Sequence, residues 1–375
     1  MITTFDDYPL HQTAEPVAVP GTGDRNYYDR YFFNGYDPEG GYFFALALGL
    51  YPNRRVVDAS FSVLHAGVQR SVHSSARAPL DRAAATSVGP ITVEVVEPLR
   101  VLRVRVDAPE QGLAADLVFR ARTPAVEEPR IIRHTGVTAT MDYTRLTQWG
   151  TWEGRFRTGD TELTCAGTPG TRDRSWGVRA VGEPAGGAPP AEPSQFFWVW
   201  APLHLDDHCT HLALVDDAEG RHVYESACVV PLLPGADEST PLEHARTADV
   251  EIEWEPGARL ARAATLRTAG WDGKERTTRV TPLLTFRMRG IGYFHPAWAH
   301  GVWHGEQETG GSEWQTEDLD PAAPENVHVQ QLVRVDSDGR SGIGVFEHLA
   351  IGPHRPSGFT GAFDVPATPI APAAR

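Results

Sequence analysis

The chain has 375 residues, 41% of them apolar and 22% charged, which excludes fibrous and wholly disordered proteins and leaves room for one large domain or two medium ones. Its 49 acidic residues outnumber the 34 basic ones for a formal charge of -15, so its surface repels phosphate backbones and anionic lipid, and nucleic acid is not expected as a partner. No apolar run reaches the ~20 residues of a membrane span. The segment Met1-Ile2-Thr3-Thr4-Phe5-Asp6-Asp7 lacks the basic and apolar regions of a signal peptide, which makes the cytoplasm the expected compartment. The odd set Cys165, Cys209 and Cys228 fits a reducing environment better than a disulfide framework.

Along the chain, 30 prolines and 36 glycines cut the sequence into short segments that mostly alternate with period two, the pattern of a β protein. Ile91–Val95 and Leu102–Val106 are predicted strands on either side of a break at Glu97-Pro98. The proline- and glycine-rich run from Gly182 to Pro193 is predicted to be a loop or linker. Val250, Ile252 and Trp254 share one face of a later strand, with Glu251 and Glu253 on the other, and Val280, Pro282, Leu284, Phe286 and Met288 are predicted to share one face of the next. A second loop is expected at Asp320–Pro324, with fraying from Pro366 onward. The expected organisation is a β domain over 1–165, a junction and linker over 166–195, and a second β domain over 196–375.

No phosphate loop, dinucleotide glycine fingerprint, zinc-protease helix motif or nucleophile elbow is present, and Lys274 is the single lysine. No cofactor is therefore expected. Chemistry concentrates in two places. In Gly167–Arg179, alternation puts Arg172 and Arg174 on one face and Asp173 and Ser175 on the other. A dry surrounding would raise the Asp173 pKa and keep a proton available, whereas contact with Arg172 or Arg179 would lower it. In Gly290–Glu306, a strand would project Trp298, His300, Val302, His304 and Glu306 from one face, as a proton relay or, alternatively, as zinc or iron ligands. The stretch Trp198–His211 is read as a hairpin turning at Asp206-Asp207, and His65, His73, Glu347 and His348 as isolated side chains. Ten tryptophans are available for core filling or for an apolar cavity wall.

The run Tyr36–Tyr42, then Gly49–Asn53, then Val88-Gly89-Pro90, then Asp173, Trp176 and Gly177 resembles the carotenoid 1,2-hydratase-like superfamily, whose relatives include tocopherol-cyclase-type and Diels-Alderase-type proteins. The resemblance implies an all-β fold of two packed lipocalin-like domains, sandwiches or barrels. The hydratase motif is roughly glycine, tyrosine, histidine, aspartate, histidine, asparagine, tryptophan, glycine. Here it stands as Gly170 to Gly177, so that aspartate, tryptophan and final glycine carry over and arginines replace both histidines. The resemblance implies that Asp173 protonates a carbon-carbon double bond, with the acid role open to His300, His304 and Glu306. Trp176, Arg172, Arg179, Tyr293, His295, Trp298, Trp303 and Trp200 are the expected cavity wall. The expected function is cofactor-independent acid-base chemistry on an apolar isoprenoid, steroid or polyketide-like molecule: hydration, dehydration, isomerisation or cyclisation. A carrier of lipophilic ligands and a metal enzyme built on His300, His304 and Glu306 are the alternatives, and a homodimer is left open.

Overall fold

The computed structural model describes residues 4–9, 16, 18–182, 194–233 and 235–365, and these form β-strands and short 310 turns without an α-helix. The all-β expectation holds, and no helix among the described residues is long and apolar enough to cross a membrane. Most of the predicted linker, from residue 183, and the tail from Pro366 lie outside the described residues.

In chain order the first twelve strands are β1 Tyr27–Tyr36, β2 Tyr42–Tyr51, β3 Val56–His65, β4 Val68–Arg77, β5 Ser87–Val88, β6 Ile91–Glu97, β7 Val101–Ala108, β8 Leu113–Ala121, β9 Val126–Glu127, β10 Ile131–Thr135, β11 Thr138–Thr158 and β12 Thr161–Arg179. They are followed by β13 Phe196–Trp200, β14 Leu203–His204, β15 His208–Asp216, β16 His222–Pro231, β17 Glu243–Trp254, β18 Ala261–Gly270, β19 Glu275–Arg287, β20 Gln307–Gln315, β21 Val329–Ser337 and β22 Arg340–Ile351. The first sheet runs β20-β4-β3-β2-β1-β12-β11-β8-β7-β6-β5, with β9 and β10 on β11, and curls into a half-barrel. The second, β13-β15-β14-β22-β21-β19-β18-β17-β16, closes through β15 and β16 into a barrel.

Three layers of apolar side chains explain why the strands read as they do. Residues such as Phe33, Phe44, Phe61 and Phe119 fill the curl of the first sheet, and Val199, Leu214, Trp254 and Phe346 fill the barrel. Between them, Phe32, Phe43 and Tyr51 of the first sheet meet Trp198, Trp200 and Phe286 of the barrel. β1 and β2 are therefore buried on both faces; β2 is a nearly continuous apolar run instead of an alternating one, and β1 adds the buried polar residues Asp29, Arg30 and Asn34 to its aromatic ones. Each such side chain contributes about 1.5–3 kcal/mol of burial.

Two predicted details change. Val280 points into the barrel, but Phe286 and Met288 belong to the layer between the sheets. A register shift between Pro282 and Leu284 reverses the face, because a bulge adds one residue to one strand and proline donates no ladder hydrogen bond. The run Met288–Glu306 is a 310 turn and loop, not a strand. It carries the chain from β19 in the barrel across to β20, which pairs with β4 at the edge of the first sheet. The left-handed backbone at Gly292, Phe294, Gly301 and Gly305 is incompatible with an extended strand. Val250, Ile252 and Trp254 do face the barrel core together, and the hairpin of β14 and β15 turns at Asp206-Asp207 as expected.

Candidate functional site

A cavity of about 840 Å³ opens between the outer face of the first sheet and the barrel. Period two delivers its walls: Arg30 and Phe32 from β1, Met141, Tyr143 and Arg145 from β11, Asp173 and Ser175 from β12, Phe196, Trp198 and Trp200 from β13, and Glu347, Leu349 and Ile351 from β22. Arg179 at the end of β12 and the crossover residues Tyr293, His295 and His300 complete it. A largely aromatic and aliphatic hollow with a few convergent polar groups is the usual form of a small-molecule site.

On β12 the predicted two-faced pattern is realised. Arg172 and Arg174 turn away from the cavity, where Arg172 Nη1 meets Asp7 at 2.5 Å and Arg174 Nη2 meets Asp29 at 2.6 Å, all four side chains fully buried. Asp173 turns the other way and lines the cavity without an ion pair among the described residues. Burial pushes its carboxyl up to about 6, against the pull of Arg145 and Arg30, with Glu128 adding to the rise and Arg179 opposing it. Loss of solvation therefore outweighs three guanidiniums that are near but not in contact. The glycines flanking this stretch have local causes. A methyl group at Gly170 would meet the Asn34 carbonyl and Trp152, and Gly177, at φ +135, lies against the backbone of Asp142 and Tyr143.

Tyr293 faces the same space. Its phenol oxygen accepts N–H groups from Arg30 (2.8 Å) and Arg179 (3.3 Å), and the Arg30 guanidinium lies 4.8 Å from the ring centre. His300 Nε2 is 2.6 Å from the Ile291 carbonyl oxygen, a geometry that assigns the proton to Nε2. Burial, then Arg30 and Arg179, hold His300 well below the usual imidazole range, so it is neutral and no acid near pH 7. His295 accepts the backbone N–H groups of Ala297 and Trp298 at Nδ1, and burial lowers it to about 4.

Two further carboxylates stand near the cavity, Glu128 just after β9 of the first sheet and Glu347 on β22 of the barrel. Glu128 takes a two-pronged contact from Arg145, whose guanidinium lies 4.8 Å from the Trp198 ring and 5.7 Å from Trp200. Glu347 accepts from Trp198 Nε1 (3.0 Å), His328 Nε2 (2.9 Å) and Gln330 Nε2 (2.6 Å). Gln330 in turn accepts from Asn34 of β1 at 3.0 Å, tying the sheets together. Glu347 reads as isolated in the sequence, and His328 is not singled out there. The signal that could have found them is polar residues at alternate positions, His328 and Gln330, in an apolar strand that pairs Gln330 with Glu347.

Thus Asp173, Arg179, Trp200, Tyr293, His295 and His300 share the cavity, and the remaining expected residues do not. Glu306 is on the surface in a salt bridge with Arg77, and the exposed Trp303 lies 4.9 Å from the same guanidinium. His304 lies against Trp298 with ring centres 4.2 Å apart and planes tilted by 31°, and Trp298 stacks on His73 at 5.8 Å, which fastens the crossover to β4. Arg172 belongs to the buried network behind β12, and Trp176 packs against Leu99, Ala125 and Leu146. Of His300, His304 and Glu306, only His300 thus reaches the large cavity, because their segment is a crossover and not a strand. Among the described residues no group of three His, Cys, Asp or Glu side chains is placed to hold a metal ion.

Fold and site together define an all-β protein with a ligand-sized apolar chamber between two packed sheets. Residues 2–360 match the model of a family of unknown function, DUF8625, and the chain belongs to that family. No curated protein matches it. Among solved structures, a putative AttH from Nitrosomonas europaea is similar at TM-score 0.55 and 14% identity, over 86% of this chain and 92% of the other. Kievitone hydratase from Nectria haematococca follows at 0.49 and 11%, over 86% and 88%, and CghA at 0.47 and 12%, over 92% and 95%. At 14% identity the likeness to the first of these is one of fold.

Proposed function

We propose that this protein is a cofactor-independent enzyme that transfers a proton to an apolar, isoprenoid-, steroid- or polyketide-like substrate held between the two sheets. One observation carries the reading: Asp173, a carboxyl pushed up to about 6, stands without an ion pair among the described residues on the wall of an aromatic cavity of about 840 Å³. A general acid works best with a pKa near the operating pH, and Asp173 keeps a useful protonated fraction there. Its O–H bond breaks as the proton passes to a substrate carbon or oxygen. The electron-poor centre so formed then gains water, loses a neighbouring proton or is attacked by another group of the same molecule, and the proton released in that step returns to the Asp173 carboxylate, which gives hydration, isomerisation or cyclisation with the acid restored. Placing the acid on Asp173, and not on His300, His304 or Glu306, is supported by the neutral state of His300, the packing of His304 on Trp298 outside the cavity and the surface position of Glu306. The hydratase- and cyclase-like resemblance of the sequence suggests the reaction classes to try first.

The test is incubation of the purified protein with a panel of terpenoid, steroid and polyketide alkenes in heavy-oxygen and in heavy water, with mass spectrometry of the products. The reading expects isotope incorporation or isomerisation by the natural protein and none by Asp173→Asn. Equal turnover by Asp173→Asn overturns the assignment, and tight binding without turnover by both supports a carrier.

A further inference from the structure

The charge balance of the cavity wall is uneven. Arg82, Arg145, Arg172, Arg174 and Arg259 each have a carboxylate partner, as buried guanidiniums require. Arg287, away from the cavity, donates to the Asn326 carbonyl. Arg30, only 2% exposed, and Arg179 differ: among the described residues neither has a carboxylate within ion-pair distance. Both donate to the Tyr293 oxygen. The other neighbour of Arg30, His300 Nε2 at 3.3 Å, already carries a proton directed at Ile291 and accepts nothing. Arg30 Nε is buried with no partner at all. The charges of Asp173 and, for Arg30, of Asp58 reach these guanidiniums, but neither carboxyl forms an ion pair with them among the described residues, and at Asp173 loss of solvation outweighs their pull.

Two guanidiniums without an ion-pair partner on the wall of an apolar hollow would repel a cationic ligand and gain only hydrogen bonds, and no charge compensation, from a neutral one. They would also oppose positive charge developing at Asp173's proton acceptor unless the ligand itself supplied a negative charge. We propose that the substrate is a lipophilic carboxylate, whose apolar body lies against Trp198, Trp200 and Leu349 and whose carboxylate is anchored on Arg30 and Arg179 beside the Tyr293 hydroxyl. Arginine suits this role because its planar fork matches a carboxylate with two parallel hydrogen bonds. The anchor then orients the ligand with its reacting carbon toward Asp173, and the bound charge offsets the arginines during proton transfer. The inference rests on the cavity being the substrate site and narrows what that site takes.

The test compares dansylaminoundecanoic acid with its methyl ester, two fluorescent probes that differ only in the charge. Binding is titrated with the full chain by probe emission and by energy transfer from the cavity tryptophans. The acid is expected to bind on the order of ten- to a hundredfold more tightly than the ester, the range of a charge-assisted hydrogen-bonded pair. Arg179→Met should remove most of that preference by weakening the acid alone, and Arg179→Lys should restore part of it. Arg179 is half-buried, so its replacement is less disruptive than that of Arg30. Circular dichroism and unchanged ester affinity establish that the variant is folded. Equal binding of acid and ester by the natural protein, or equal weakening of both by Arg179→Met, overturns the proposal while leaving Asp173 chemistry standing. Binding of neither probe removes the cavity reading and this inference with it.

Discussion

Replacing Asp173 with asparagine should make the protein more stable at neutral and alkaline pH while abolishing proton transfer. The carboxyl moves from an ordinary 3.8 in the unfolded chain to about 6 in the fold, and a shift of about 2 units is worth about 3 kcal/mol at 1.36 kcal/mol per unit. The folded-state value is the higher one, so the folded protein binds this proton more tightly than the unfolded chain. Stability is therefore fully present below about pH 4, falls as the pH rises from about 4 to about 6, and stays lowered above that. Asparagine has nearly the same shape and never ionises, so its advantage over aspartate should be near zero at the acidic limit, reach about half its full value near pH 5, and approach about 3 kcal/mol at pH 8. Urea denaturation of both proteins at pH 5 and pH 8 measures this, and comparing their difference cancels every other titrating group. A variant whose relative stability is the same at both pH values would show that Asp173 is not desolvated, and the acid role would fall with it.

Glu128→Gln removes the charge that balances the buried Arg145 and is expected to cost about 3–5 kcal/mol in urea denaturation, with loss of probe binding as Arg145 lets go of the Trp198 and Trp200 wall. Gly177→Ala forces a side chain into left-handed backbone against Asp142 and Tyr143 and should destabilise by about 2 kcal/mol or more, read as a lowered denaturation midpoint. Glu306→Ala breaks only a surface pair with Arg77, so turnover and ligand affinity should match the natural protein; a large loss of activity would return Glu306 to the site.

Much of the fold was legible because a strand writes its two environments into alternate residues. The opposite outlooks of Arg172 with Arg174 and of Asp173 with Ser175 followed from that rule alone, and the structure places them accordingly. The same rule misled in Gly290–Glu306, where closely spaced histidines and tryptophans suggested one face of a strand. Sequence spacing does not say that the chain must leave the barrel there and reach the far edge of the first sheet. Pro282 and the bulge beside it likewise reversed a face that periodicity had carried straight through. The pairing of Glu347 with His328 was missed because the two are 19 residues apart and meet only when β21 and β22 pair.

The sequence by itself determined the strands, the side of β12 on which Asp173 stands and the absence of nucleotide-binding motifs, since these depend on period, composition and local spacing. Only the tertiary structure decided that Asp7 and Asp29 neutralise Arg172 and Arg174, that Arg30 and Arg179 meet at Tyr293 without a carboxylate, and that Glu306 lies outside. Those outcomes join residues more than a hundred positions apart. They turn on which charges the packing of two sheets removes from water together and which it leaves facing a hollow, and no local pattern records that choice.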